Sequence, residues 1–144
     1  MNAAGIKEVL IAKINKTEWW HVPPIDKNAY KKRGKFLAST YSQAEFYGRP
    51  NFNPEKVNVK LPIYGFSEKE ILKRLFPSKY NKLYFQITKE GKNWYNRRIN
   101  LDARMFRKAK TLGYDAIVLL TSQGKDRLKI NRKPFSMELN LLNV

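Results

Sequence analysis

Apolar positions recur along this chain with two different periods, and each period predicts its own kind of element. Ile6, Val9, Leu10 and Ile14 fall at helical spacing, so residues 1–16 are expected to form an N-terminal amphipathic helix ahead of a sheet-containing core, 17–144. Trp19, Trp20, His21 and Val22 read as a short strand stopped by Pro23 and Pro24. Phe36 to Ser39 reads as a buried strand after an Arg33-Gly34 turn. Ser42-Gln-Ala-Glu45 has the form of a capping box opening a short helix that ends near Gly48. Val57 to Leu61 alternates as a half-buried strand does, with Pro62 closing it. Ser67-Glu-Lys-Glu70 is a second capping box, before a helix with Ile71, Leu72, Leu75 and Phe76 on one side and Pro77 at its end.

Leu83 to Ile87 is expected as a strand. Asn100 is expected to cap a helix whose apolar face is Leu101, Met105, Ala109 and Leu112, with Asp102 in its first turn and Gly113 after its end. Asp115 to Thr121 is the most apolar run and is expected at the sheet centre. A turn over Ser122–Asp126 and strands at Arg127–Ile130 and Ser136–Leu142 complete the reading. The sum is a single α+β domain over 1–144, with a split, mostly antiparallel sheet of about six strands and three or four helices.

Charge changes the picture. Among 144 residues, 29 Lys and Arg stand against 12 Asp and Glu, a net charge of +17. Such an excess costs self-repulsion in the folded state and points to an anionic partner. The absence of cysteine excludes disulfides, thiolate nucleophiles and cysteine zinc sites, and a single histidine leaves no zinc site at all. No apolar run approaches the ~20 residues that cross a bilayer, and no signal peptide is visible, so a cytoplasmic protein that does not enter membranes is expected. No nucleotide-binding glycine motif and no nucleophile elbow occurs, and the acids are scattered.

The stretch Gly34-Lys-Phe-Leu-Ala-Ser-Thr-Tyr-Ser-Gln-Ala-Glu-Phe-Tyr-Gly48 and the later Gly113-Tyr-Asp-Ala-Ile117 are the chain's two distinctive motifs. Together they resemble the ADP-ribosyltransferases, in particular the His-Tyr-Glu branch and its toxin-type relatives. The resemblance implies an ADP-ribosyltransferase-like fold, NAD as cofactor, and transfer of ADP-ribose to a macromolecular acceptor, with nucleic acid as one candidate. It makes His21, Tyr47 and Glu138 the catalytic set. His21 would bond the nicotinamide-side ribose, Tyr47 and Phe36 would stack on nicotinamide, and Ser39 and Thr40 would line the strand end. The acid is the point of departure from the family pattern: Glu138 and Asp126 both stand late in the chain, and Glu138 is preferred. The transfer chemistry asks for such a carboxylate, because cleavage of a sugar–base bond builds positive charge at the sugar carbon. Each of these residues also has an ordinary structural use, as core ring, cap or buried histidine.

The basic residues form a third pattern. Lys31, Lys32 and Arg33 precede the first motif, Arg97 and Arg98 precede the main helix, and Arg104, Arg107 and Lys108 are spaced along it. Interleaved with Trp94, Tyr95 and Tyr80, they suit phosphates and stacked bases. A second reading follows: a non-catalytic basic protein that binds nucleic acid, or an effector or inhibitor that binds an acidic protein, from a phage or mobile element.

Overall fold

The computed structural model describes residues 3–89, 91–120 and 137–143. The expected turn at Ser122–Asp126, the strand at Arg127–Ile130 and Asp126 itself lie outside these residues.

The chain begins with α1 (Ala3–Lys16), whose Leu10 and Ile14 are fully buried as the helical spacing predicts. Each such side chain contributes about 1.5–3 kcal/mol. The helix is closed by Thr17, whose hydroxyl donates to the Lys13 carbonyl at 2.6 Å, and by the Trp19 indole, which donates to the Ile14 carbonyl at 2.9 Å. That indole fixes the turn into β1 (Trp20–His21). Next come α2 (Ala29–Arg33), β2 (Lys35–Ala38) and α3 (Tyr41–Glu45). Gly34 sits at φ +85°, where a Cβ would lie 2.2 Å from Asn140 Oδ1, so only glycine fits between α2 and β2.

The second half runs β3 (Pro62–Gly65), α4 (Glu68–Leu75), α5 (Tyr80–Thr88), α6 (Trp94–Thr111), β4 (Ala116–Leu120) and β5 (Met137–Leu141). The strands form one five-stranded sheet in the order β1-β2-β5-β4-β3. Three of its pairings are antiparallel, and β3–β4 is parallel. Among the described residues the sheet is therefore mixed and continuous, with five strands, where a split, mostly antiparallel sheet of about six was expected, and they hold six helices instead of three or four. The α+β class is as expected. Parallel neighbours need a long crossover, and α4, α5 and α6 supply it.

Alternation along the strands makes two cores. Leu37, Val118, Met137 and Leu139 point to one face, under α1 with Trp19. Ile63 and Ile117 point to the other, against Ile71, Leu72 and Leu75 of α4 and Leu101, Met105 and Ala109 of α6.

Four local expectations are corrected by the structure. Residues 57–60 belong to no strand, because side chains satisfy their backbone: Asn15 bonds both the N–H and the C=O of Val59, and the Asp115 carboxylate accepts from the N–H groups of Lys60 and Leu61. Pro62 opens a strand instead of closing one, a position where its missing N–H costs no ladder bond. Leu83–Ile87 is helical: Tyr80, Leu83, Tyr84 and Ile87 together follow the helical period and pack on the second core, which overrides the strand preference of the aromatics. The main helix starts at Trp94, six residues before Asn100, held there by the Trp94 indole donating to the Ile87 carbonyl. Its end is as expected: Gly113, at φ +91°, follows the last turn, with its N–H on Lys110 and that of Tyr114 on Ala109.

Candidate active site

The helix layer leaves part of β2 and β5 uncovered, and a cleft opens there. Its volume is about 60 Å³, and its wall includes Phe36, Glu68, Arg98, Asp102, Glu138 and Asn140. Register explains which side chains face it. Ala38 pairs with Glu138 and Phe36 with Asn140, so these positions share one face of the sheet, the face of α6.

Tyr47 reaches this cleft from beyond the end of α3. Its hydroxyl donates to Glu138 Oε1 at 2.9 Å, across 91 residues of sequence. The ring stays largely open to solvent, 68% exposed, and Phe36 is 45% exposed. Burial of the hydroxyl end, with the charge and hydrogen bond of Glu138, pushes the Tyr47 phenol up to about 12. Tyr47 therefore stays protonated and a donor at neutral pH.

Ser39 and Thr40 position this pair. The Ser39 hydroxyl accepts from the N–H of Met137 at 2.9 Å, and the Ser39 N–H donates to the Met137 carbonyl at 3.1 Å. These bonds fix the residue just before Glu138. Thr40 is the N-cap of α3, its hydroxyl accepting from the Gln43 N–H at 3.2 Å. The cap is thus Thr40 where Ser42 was expected, and it sets the helix from which Tyr47 leaves.

Opposite Glu138, Arg98 bonds Glu68 with both guanidinium nitrogens, at 2.5 and 2.8 Å, and Asp102 at 2.8 Å. Burial works against the Arg98 charge, but the Glu68 hydrogen bond and the two carboxylates outweigh it and raise its pKa. Burial pushes the Asp102 carboxyl up, against the pull of Arg98. With Glu138, three carboxylates stand around Arg98, with Arg33 also acting on Asp102, so the cleft is an acidic spot in a basic protein. Glu68 and Asp102 are absent from the sequence reading of the site. The Arg98–Asp102 spacing of four carried the signal, but a helix start placed at Asn100 left Arg98 outside the helix.

His21 is placed elsewhere. It lies in the row Leu37–Leu139–Val118, whose members pack under α1, while Glu138 lies in the neighbouring row that points the other way. The ring is buried, with Nδ1 at 2.7 Å from the Phe36 carbonyl and Nε2 at 2.8 Å from the Tyr30 hydroxyl. The carbonyl can only accept, so Nδ1 carries the proton and Nε2 accepts from Tyr30. Burial lowers the His21 pKa. Both nitrogens are thus occupied within the protein.

Of the basic residues singled out in the sequence, Arg98 belongs to the cleft's ion pairs, and Arg97 donates to the Gln86 carbonyl at 2.6 Å. Lys31, Lys32 and Arg33 form the last turn of α2, and Arg104, Arg107 and Lys108 lie along α6. Among the described residues no group of acids and histidine suits a metal ion, and no helix is long and apolar enough to cross a membrane. No family model, curated protein or solved structure matches the chain.

Proposed function

We propose that the chain is an ADP-ribosyltransferase-like protein that binds NAD at the Tyr47–Glu138 cleft and transfers ADP-ribose to a macromolecule. The observation that carries this reading is the 2.9 Å bond between Tyr47 and Glu138, two of the three residues that the motif resemblance places in one catalytic set. The rings of Phe36 and Tyr47 and the Glu138 carboxylate fit the nicotinamide–ribose end of NAD. The cleft is open, and its volume of about 60 Å³ is smaller than the nicotinamide–ribose end, so that end would seat against Phe36 and Glu138 with most of the dinucleotide across the open rim.

Bound NAD would supply a ribose–nicotinamide bond whose cleavage builds positive charge at the sugar carbon. Glu138 holds a carboxylate beside that position, and Tyr47 fixes one of its oxygens and so its orientation. Phe36 and Tyr47 offer flat apolar faces to an aromatic ring. Glu68 and Asp102 add negative potential behind the cleft, tempered by Arg98. Ser39 and Thr40 hold the two strand and helix ends that make the pair meet. His21 orders the β1–β2–α2 edge through Phe36 and Tyr30, in place of a direct ribose bond.

The test is nicotinamide release from NAD by the wild type and by Glu138→Gln, which keeps the shape of the acid but not its charge. Release by the wild type and a fall of about 10²-fold or more in the variant are expected. Equal rates would remove Glu138 from the chemistry.

A further inference from the structure

From Lys73 to Lys110 the chain's only acids are Glu90 and Asp102, and Asp102 is paired with Arg98. Three cations of this stretch, with Lys69, are held over aromatic rings. Lys69 lies over the Tyr84 ring at 5.7 Å and Lys73 over Tyr80 at 5.6 Å, joining α4 to α5. Arg104 and Lys108 both lie over one ring, Phe76 at the end of α4, at 5.6 and 6.0 Å. The rings of Phe76, Tyr80 and Tyr84 are themselves packed on the second core. Among the described residues none of these four cations has an acidic partner, in contrast to Arg98 and Arg74.

A carboxylate would cancel such a charge, whereas a ring orders the side chain and leaves the charge whole. The result is four full positive charges on α4 and α6, ordered by rings of α5 and of the end of α4. At the start of the same layer, where α5 passes to α6, Phe85, Trp94 and Tyr95 are exposed. Position 94 is ten residues from 104 along α6, or ~15 Å. Cations that follow a backbone beside open rings are the arrangement that suits a single strand.

We infer that the outer surface of α4, α5 and α6 binds single-stranded nucleic acid, with Lys69, Lys73, Arg104 and Lys108 on its phosphates and Phe85 and Tyr95 under its bases. None of these six residues lines the Tyr47–Glu138 cleft, and their binding is measured without NAD, so either reading can fail alone.

The experiment is fluorescence anisotropy of a labelled oligo-dT with the full chain, from about 50 to about 200 mM salt. Lys73→Gln/Arg104→Gln/Lys108→Gln should weaken binding by about tenfold or more at the lower salt and cut the salt slope by about 2, at ~0.7 per phosphate contact. Lys7→Gln/Lys16→Gln/Lys56→Gln, the same charge removed from the α1 side, should change the slope by less than half of that. Lys73→Arg/Lys108→Arg, which keeps the charges, should bind as the wild type does and shows that the patch variant's loss is one of charge. Tyr95→Ala and Phe85→Ala should each weaken binding about fivefold at an unchanged slope. Equal losses from the two triple variants, tighter binding of a duplex of the same length, competition by poly-glutamate as effective as by unlabelled oligo-dT, or no binding at low salt would each overturn the inference.

Discussion

The Tyr47–Glu138 contact can be read without any ligand. Tyr47 should titrate late, at about 12, when tyrosinate absorbance is followed through alkaline pH. Glu138→Gln removes the negative charge but not the burial, so the late phase should move only part of the way back toward 10. A raised folded pKa means that this contribution to stability is whole below pH 10 and is lost as pH rises through the folded value. An unchanged late phase in Glu138→Gln would separate the two residues. His21 works in the opposite sense. Its pKa is lowered from 6.5 by burial, so the unfolded chain binds the extra proton first. Stability attributable to His21 should be whole above pH 6.5 and fall as pH drops below it. In His21→Gln that acid-side slope should flatten in urea unfolding measured from neutral to mildly acidic pH, and an identical slope would show that another group causes it.

At the scale of elements, the site depends on two short joins, the β2–β5 end at Ser39 and the start of α3 at Thr40. Ser39→Ala leaves the buried Met137 N–H without its acceptor and should cost about 1–3 kcal/mol. Thr40→Ala removes the cap and should cost about 1 kcal/mol. Both are checked by denaturant midpoints, and both should also loosen Tyr47 from Glu138, seen as an earlier Tyr47 titration. Sequence periodicity was sufficient for α1 and α4, whose apolar positions each face one core, and the unbroken apolar run was sufficient for β4, which is buried on both faces. It failed where polar side chains replace a neighbouring strand, as Asn15 and Asp115 do for residues 57–61. It failed again in α5, where a window opened at Leu83 omits Tyr80 and hides the helical period. The candidate site was legible in part. Phe36 and Glu138 line one cleft because strand register sets them on one face, and a capped helix brings Tyr47 to Glu138. The opposite facing of His21 was hidden, since it depends on register: one residue along a strand exchanges the two faces. Glu68 and Asp102 were hidden by the late helix start.

At the scale of the molecule, charge is divided. The cleft gathers Glu138, Glu68 and Asp102 around Arg98, while the three-helix surface carries cations seated on aromatic rings. An acidic cleft suits a group that becomes positive as it reacts, and a basic surface suits an anionic strand, so the two can serve one protein at different places. The central claim is that the Tyr47–Glu138 cleft is the NAD site, and titration calorimetry of NAD into four proteins tests it most directly. The wild type should bind. Tyr47→Ala, which removes a stacking face and the Glu138 contact, should weaken binding by about tenfold or more. Glu138→Gln should retain most of the affinity, and His21→Gln should bind as the wild type does at neutral pH. Binding unaffected by Tyr47→Ala, or no binding by the folded wild type, would contradict the account.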